Sequence, residues 1–135
     1  MASDGSVYAI EMDAEEFGLI RENAERFGVA NVTAILGRAP DAFDELPDPD
    51  CVFVAGAGRE VTRISESAYR RLRPGGRLVV NTTSIDHLAE LRAAIGGHSS
   101  HVRIWMINLS RGTDQLDRLT FEPLKPSFLL AVTKG

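Results

Sequence analysis

Short apolar runs alternate with longer stretches of helical period along most of the 135 residues. Val7-Tyr8-Ala9-Ile10-Glu11 reads as an apolar strand ending in a carboxylate. Asp13 can cap the following helix, and Glu16 three residues on would complete a capping box. Phe17, Ile20, Ala24 and Phe27 then share one helical face, and Gly28 is placed to stop the helix in left-handed backbone. Val32–Leu36 is a second short strand, ending at Gly37-Arg38-Ala39-Pro40. Residues 41–46 predict a helical turn, closed by Pro47-Asp48-Pro49-Asp50.

Cys51-Val52-Phe53-Val54-Ala55 is continuously apolar, as expected of a central parallel strand covered on both faces, and Gly56-Ala57-Gly58 follows directly. A helix over residues 60–72 would place Val61, Ile64, Ala68 and Leu72 on one side. Arg73-Pro74-Gly75-Gly76 ends it before a strand over 77–81. Ser84 can cap another helix, with Leu88, Leu91 and Ile95 inward and Gly96-Gly97 at its end. The pattern then changes: strands over 102–109 and 127–133 are joined by a polar stretch with no clear helix. Strand-helix alternation ending in an antiparallel pair predicts an α/β fold with an open, mostly parallel sheet.

Composition narrows the class. Apolar residues make up 44% and charged residues 25%, ordinary for a soluble domain, and the length predicts a single domain over 1–135. The net charge of −4 comes from mixed acids and bases, without the basic stripe of a nucleic-acid binder. No apolar run approaches the roughly 20 residues that span a bilayer, and the N-terminus lacks the look of a signal peptide. One cysteine makes neither an internal disulfide nor a thiolate metal cluster. Cytoplasm is the expected location.

An acidic residue closing a strand, as Glu11 does, is the ribose-binding signature that follows the second strand of nucleotide-binding α/β domains. The first strand and its Gly-rich turn should precede it, and only Met1 to Ser6 do. The expectation is a domain truncated at its N-terminus, lacking the first βα unit. Nicotinamide-dependent dehydrogenases share the acid, but their sheets end in parallel strands. The antiparallel ending, and the Arg73-Pro74-Gly75-Gly76-Arg77-Leu78 turn, favour the S-adenosylmethionine (SAM) methyltransferase arrangement, whose last strand inserts backwards.

Four stretches sharpen this: Val7-Tyr8-Ala9-Ile10-Glu11; Gly37-Arg38-Ala39-Pro40; Gly56-Ala57-Gly58 with Pro47-Asp48-Pro49-Asp50 upstream; and Ile107-Asn108-Leu109-Ser110-Arg111-Gly112. From Val7 to the C-terminus the chain resembles the precorrin methyltransferases of cobalamin biosynthesis that methylate carbon 15 and decarboxylate the neighbouring acetate. The same domain forms the C-terminal half of the precorrin-6Y C5,15-methyltransferases. The resemblance implies a Rossmann-like sheet, SAM as cofactor and a precorrin tetrapyrrole as substrate. It implies cofactor contacts at Glu11, Arg38, Ala39 and Gly56, and substrate contacts at Gly58, Asn108 and Arg111. No obligatory catalytic side chain is expected, because the sulfonium carries the difficult chemistry. The family usually has Gly-Asp-Ala-Pro at the third strand, and Arg38 replaces its acid. Adenine would then be held by the Ala39 backbone, or Arg38 would stack on its ring.

Each of these residues also has a plainer reading. Glu11 can simply end a strand, Gly56 and Gly58 can form a tight turn without a ligand, and Asn108 and Arg111 can be loop polarity. Cys51 is expected to be a small buried residue, and Trp105 and Met106 to be core or subunit contact. Arg63, Arg70, Arg71 and Arg73 would form a solvated helix face; His87, His98 and His101 lack metal-ligand spacing. Omitting a central strand would leave apolar edges, so the chain is expected to self-associate as a homo-oligomer and to bind SAM weakly or not at all. The alternative class is a non-catalytic remnant or assembly module.

Overall fold

A computed structural model describes residues 4–98 and 101–135. The chain divides into two compact units, Met1–Pro47 and Asp48–Gly135.

In the first unit, strands β1 (Val7–Glu11) and β2 (Val32–Leu36) pair in parallel, joined by helix α1 (Ala14–Arg26). Asp13 caps α1, its side chain accepting from the Glu15 and Glu16 amides. The reciprocal bond comes from Glu11, not from Glu16: Glu11 Oε1 accepts the Asp13 N–H at 3.0 Å. The expected capping box is therefore closed from the strand side. At the other end Gly28 N–H donates to Glu25 O and Val29 N–H to Ala24 O, while Gly28 sits at φ +63°. That paired arrangement satisfies the last carbonyls of the helix, and the left-handed turn favours glycine. Phe17, Ile20 and Ala24 are half-buried as their spacing predicts, but Phe27 is 77% exposed. It falls on the C-cap, where the chain leaves the helix and the inward face ends. The helical turn expected over 41–46 is a shorter 3-10 turn, Asp41–Phe43.

In the second unit, β3 (Cys51–Val54), β4 (Arg77–Thr82), β5 (Val102–Ile107) and β8 (Ser127–Thr133) form one sheet in the order β3-β4-β8-β5. β3 and β4 are parallel, and β8 enters antiparallel to both β4 and β5. The last strand does run backwards into the sheet. Helices α2 (Val61–Arg71) and α3 (Ile85–Gly96) connect β3 to β4 and β4 to β5, and pack against each other. Alternation in β4 and β8 sends Leu78, Val80, Leu130 and Val132 into the core, where Val61, Ala68, Leu72, Leu91 and Ile95 meet them. The inward helix positions at 61, 68, 72, 91 and 95 fall where the period of 3.6 places them.

The polar stretch after β5 is a hairpin, β6 (Ser110–Gln115) and β7 (Arg118–Pro123). It turns through Leu116 and Asp117, both at positive φ. β5 itself ends at Ile107, two residues short of the expected boundary.

Several burial expectations fail. Cys51 is exposed, and Phe53 on the same strand is 63% exposed. Among the described residues β3 pairs only with β4, so its other edge and one of its faces lack the cover a central strand would have. Trp105 and Met106 are 48% and 60% exposed, on the outer strand of the sheet, and are not core. The arginines at and beside α2 do face solvent, Arg63, Arg70 and Arg73 exposed and Arg71 half-buried, and three of them are ion-paired: Arg63 with Glu60, Arg71 with Asp48 and Arg73 with Asp50.

Candidate cofactor and substrate sites

The parallel pairing of β1 and β2 brings their carboxyl ends side by side. Glu11 stands opposite Leu36, and the Gly37 N–H donates to Glu11 O at 2.9 Å. Gly37-Arg38-Ala39 thus leaves β2 beside the strand end that carries Glu11, although 25 residues lie between Glu11 and Gly37. Glu11 is half-buried, and its Oε1 is fixed by the Asp13 amide. Oε2 accepts no hydrogen bond among the described residues. A carboxylate held in this way can offer acceptors to a diol without reordering itself. Arg38 is exposed, with no ion-pair partner among the described residues, and Ala39 is half-buried. Glu11, Arg38 and Ala39 therefore lie at one end of one strand pair, where α/β sheets bind ligands. The cavity of about 510 Å³ in this unit is elsewhere, along α1 and β2, lined by Phe17, Arg21, Glu25 and Val32 among others.

In the second unit the carboxyl ends of β3 and β4 open onto a cavity of about 250 Å³. Its lining runs through Gly56-Ala57-Gly58 and Val61 on one side and Asn81-Thr82-Thr83-Ser84 and His87 on the other. Gly56 and Gly58 have φ of +66° and +53°, and a Cβ at either would meet nothing within 4 Å. Glycine is required there by backbone conformation, and the space beside it stays open. The β4 end is tied down by its own polar groups. Thr82 Oγ1 accepts the Ser84 N–H at 3.2 Å, and Ser84 Oγ accepts the His87 N–H at 3.3 Å, capping α3. Asn81 Oδ1 accepts from Ser127 Oγ at 3.1 Å, which leaves its amide nitrogen as the side-chain donor.

Asn81, Thr83, Ser84 and His87 were not singled out by sequence reasoning as ligand contacts. The available signal was a run of four polar residues closing an apolar strand; what was missing was the β3-β4 register that sets this run beside the glycine turn. Asn108 follows β5, whose Ile107 pairs with Ser127, so it emerges at the same end of the sheet as the cavity. Arg111 lies on β6 opposite Glu122. Both are exposed, and neither lines the cavity. Among the described residues no cluster of three or more His, Cys, Asp or Glu is placed to hold a metal ion.

A family model described as "Precorrin methyltransferase domain" matches residues 1–134. A "Probable cobalt-precorrin-6B C(15)-methyltransferase (decarboxylating)" of Pyrobaculum calidifontis is 30% identical over 131 residues, 96% of this chain and 67% of the relative. A "Precorrin-6Y C(5,15)-methyltransferase [decarboxylating]" of Sinorhizobium is 39% identical over 100% of this chain but only 32% of its own length. The chain thus spans from about a third to two thirds of these curated relatives. Among solved structures, a precorrin-6y C5,15-methyltransferase of Geobacter metallireducens superposes with a TM-score of 0.86 at 30% identity, over 97% of this chain and 69% of that one. With a family match over nearly its whole length, the chain belongs to the precorrin methyltransferase domain family.

Proposed function

We propose that the protein is a SAM-dependent C-methyltransferase of cobalamin biosynthesis, methylating carbon 15 of a precorrin macrocycle with decarboxylation of its neighbouring acetate. The observation that carries this reading is the meeting of Glu11 with Gly37-Arg38-Ala39 at the carboxyl ends of β1 and β2. The relatives' names supply the reaction and the substrate class. When bound, SAM supplies an electrophilic methyl group on sulfur. Glu11 receives the ribose hydroxyls on its carboxylate, held by the Asp13 amide. The Ala39 backbone would hold the adenine, or the Arg38 guanidinium would stack on its ring. In the second unit the Gly56 and Gly58 backbone leaves room for a ligand to approach closely, and Asn108 and Arg111 would meet carboxylate arms of the macrocycle. No side chain is asked to attack the substrate. Alignment of donor and acceptor can by itself contribute about 7–11 kcal/mol.

The same reading covers the whole chain as one domain, acting in the cytoplasm as a homo-oligomer. The family match over 1–134 supports the first, and no helix among the described residues is long and apolar enough to cross a membrane. Self-association is supported by the exposed apolar side chains of β5 and of the β6–β7 hairpin, Trp105, Met106, Leu119 and Phe121 among them.

Titration calorimetry of SAM into the protein at its natural length tests the cofactor site. Glu11→Gln should weaken binding about tenfold, the loss expected for one charge-assisted acceptor, without altering the thermal midpoint by more than a few degrees. Equal affinity in the variant would remove Glu11 from the site, and no SAM binding by the unaltered protein would overturn the assignment as a whole.

A further inference from the structure

The cavity at the ends of β3 and β4 has a lining that selects a chemical class of ligand. Its side chains are Ala57, Val61, Asn81, Thr82, Thr83, Ser84 and His87; none is acidic. Two of the acceptors are already used inside the wall, since Thr82 Oγ1 takes the Ser84 amide and Ser84 Oγ takes the His87 amide. Asn81 Oδ1 is likewise occupied by the Ser127 hydroxyl. Besides the exposed Thr83 hydroxyl, which can donate or accept, the groups left over are the Asn81 amide nitrogen and the His87 imidazole with its ring N–H, neither bonded to any described residue. Both belong to half-buried side chains, where an unmet donor is costly. A cavity with spare donors and no carboxylate favours a ligand that brings acceptor oxygens.

Volume decides how much of the ligand enters. At about 250 Å³ the cavity lies below the range of roughly 300–1,000 Å³ that encloses a drug-sized molecule. A tetrapyrrole ring is too large, whereas a short side arm ending in a carboxylate fits. We infer that Asn81 and His87 form a subsite for one short carboxylate arm of the macrocycle, the ring remaining outside against the glycine turn. This rests on the tetrapyrrole reading above and adds to it a named pair of specificity-determining residues. Val61 and the Gly56–Gly58 backbone close the apolar side, so the arm's methylene meets carbon while its oxygens meet nitrogen. The Ser127 hydroxyl holds the Asn81 amide before the ligand arrives, and the Ser84 cap fixes the backbone that carries His87, which lowers the ordering cost of binding.

The test compares two stable porphyrin probes by fluorescence quenching. Uroporphyrin carries acetate and propionate arms, and coproporphyrin carries the propionates with methyls in place of the acetates. The unaltered protein should bind uroporphyrin about tenfold more tightly. Asn81→Ala and His87→Ala should each remove most of that preference, while His87→Gln, which keeps a side-chain donor, should retain part of it. His87 lies on the first turn of α3 with its side chain outside the buried core, so its variants remain readable even if Asn81→Ala fails to fold. Binding of both probes with equal affinity, or a preference that survives His87→Ala, overturns the subsite and leaves the tetrapyrrole reading standing. Failure of the unaltered protein to bind either probe overturns both.

Discussion

Single side chains and single missing side chains fix the most local features of this protein. Gly76 has an ordinary backbone conformation but no room: a Cβ there would lie 2.8 Å from Arg73 O and 3.0 Å from Asp50 O. Both are backbone atoms held in place, since Gly76 N–H donates to Arg73 O and Arg77 N–H to Asp50 O. Gly76→Ala is therefore expected to cost about 1–3 kcal/mol by forced backbone displacement, read as a lowered denaturation midpoint with an unchanged denaturant slope. Gly75, one residue earlier, differs in kind: it is constrained by φ +78°, not by space. The Pro-Gly-Gly stretch marked a turn in the sequence, but nothing in the letters separates these two reasons for glycine. Glu11 makes the complementary case. Its place at a strand end was legible, whereas its bond to the Asp13 amide depends on where the chain turns after β1.

Elements are held in place mainly by what happens at their ends. Ser84 caps α3 through the His87 amide while its own amide donates to Thr82 Oγ1, so one residue closes β4 and opens α3. Ser84→Ala should lower stability by about 1 kcal/mol, the usual worth of such a cap. It should also loosen His87, so the uroporphyrin preference should fall in the same variant; an unchanged midpoint by thermal melt would show that the cap contributes nothing. At the far end of α2, Lys134 from the chain terminus donates to Arg70 O and, at 2.7 Å, to Leu72 O. The final residues of the chain thus satisfy helix carbonyls formed some sixty residues earlier. Sequence reading found the helix and its stop, because periodicity and Pro74-Gly75-Gly76 are local. It gave no sign of the lysine, whose role depends on β8 running antiparallel to β4.

At the scale of the molecule, many of the exposed apolar side chains gather on one outer strand and the hairpin that follows it. The outer strand β5 shows Trp105 and Met106, and β6–β7 shows Leu116, Leu119 and Phe121, with every residue of β7 exposed. A two-stranded ribbon is marginal by itself in water, and an apolar one calls for cover. Multi-angle light scattering should give a mass above that of one chain at micromolar concentration. Phe121→Glu, which places a charge on the ribbon without touching the core, should shift the mass downward. A monomer for the unaltered protein would show that these side chains are not buried by association. Both Trp105 and the hairpin were hard to place from sequence for the same reason: an apolar strand reads alike whether another strand, a helix or a second molecule covers it.

The pattern of residues determined the alternation of strands and helices up to β5 and the closing strand, though not the β6–β7 hairpin between them, and with it most of the inward helix faces, the caps at Asp13 and Ser84, and the acid at the tip of β1. Those features depend on periods of two and 3.6 and on short-range polar chemistry, all contained within a few consecutive residues. Tertiary structure alone decided which strand ends stand together. Parallel pairing set Glu11 beside Gly37-Arg38-Ala39 and set the Gly56 turn beside Asn81 and His87, because register between distant strands arises from packing the whole core and is written in no local window.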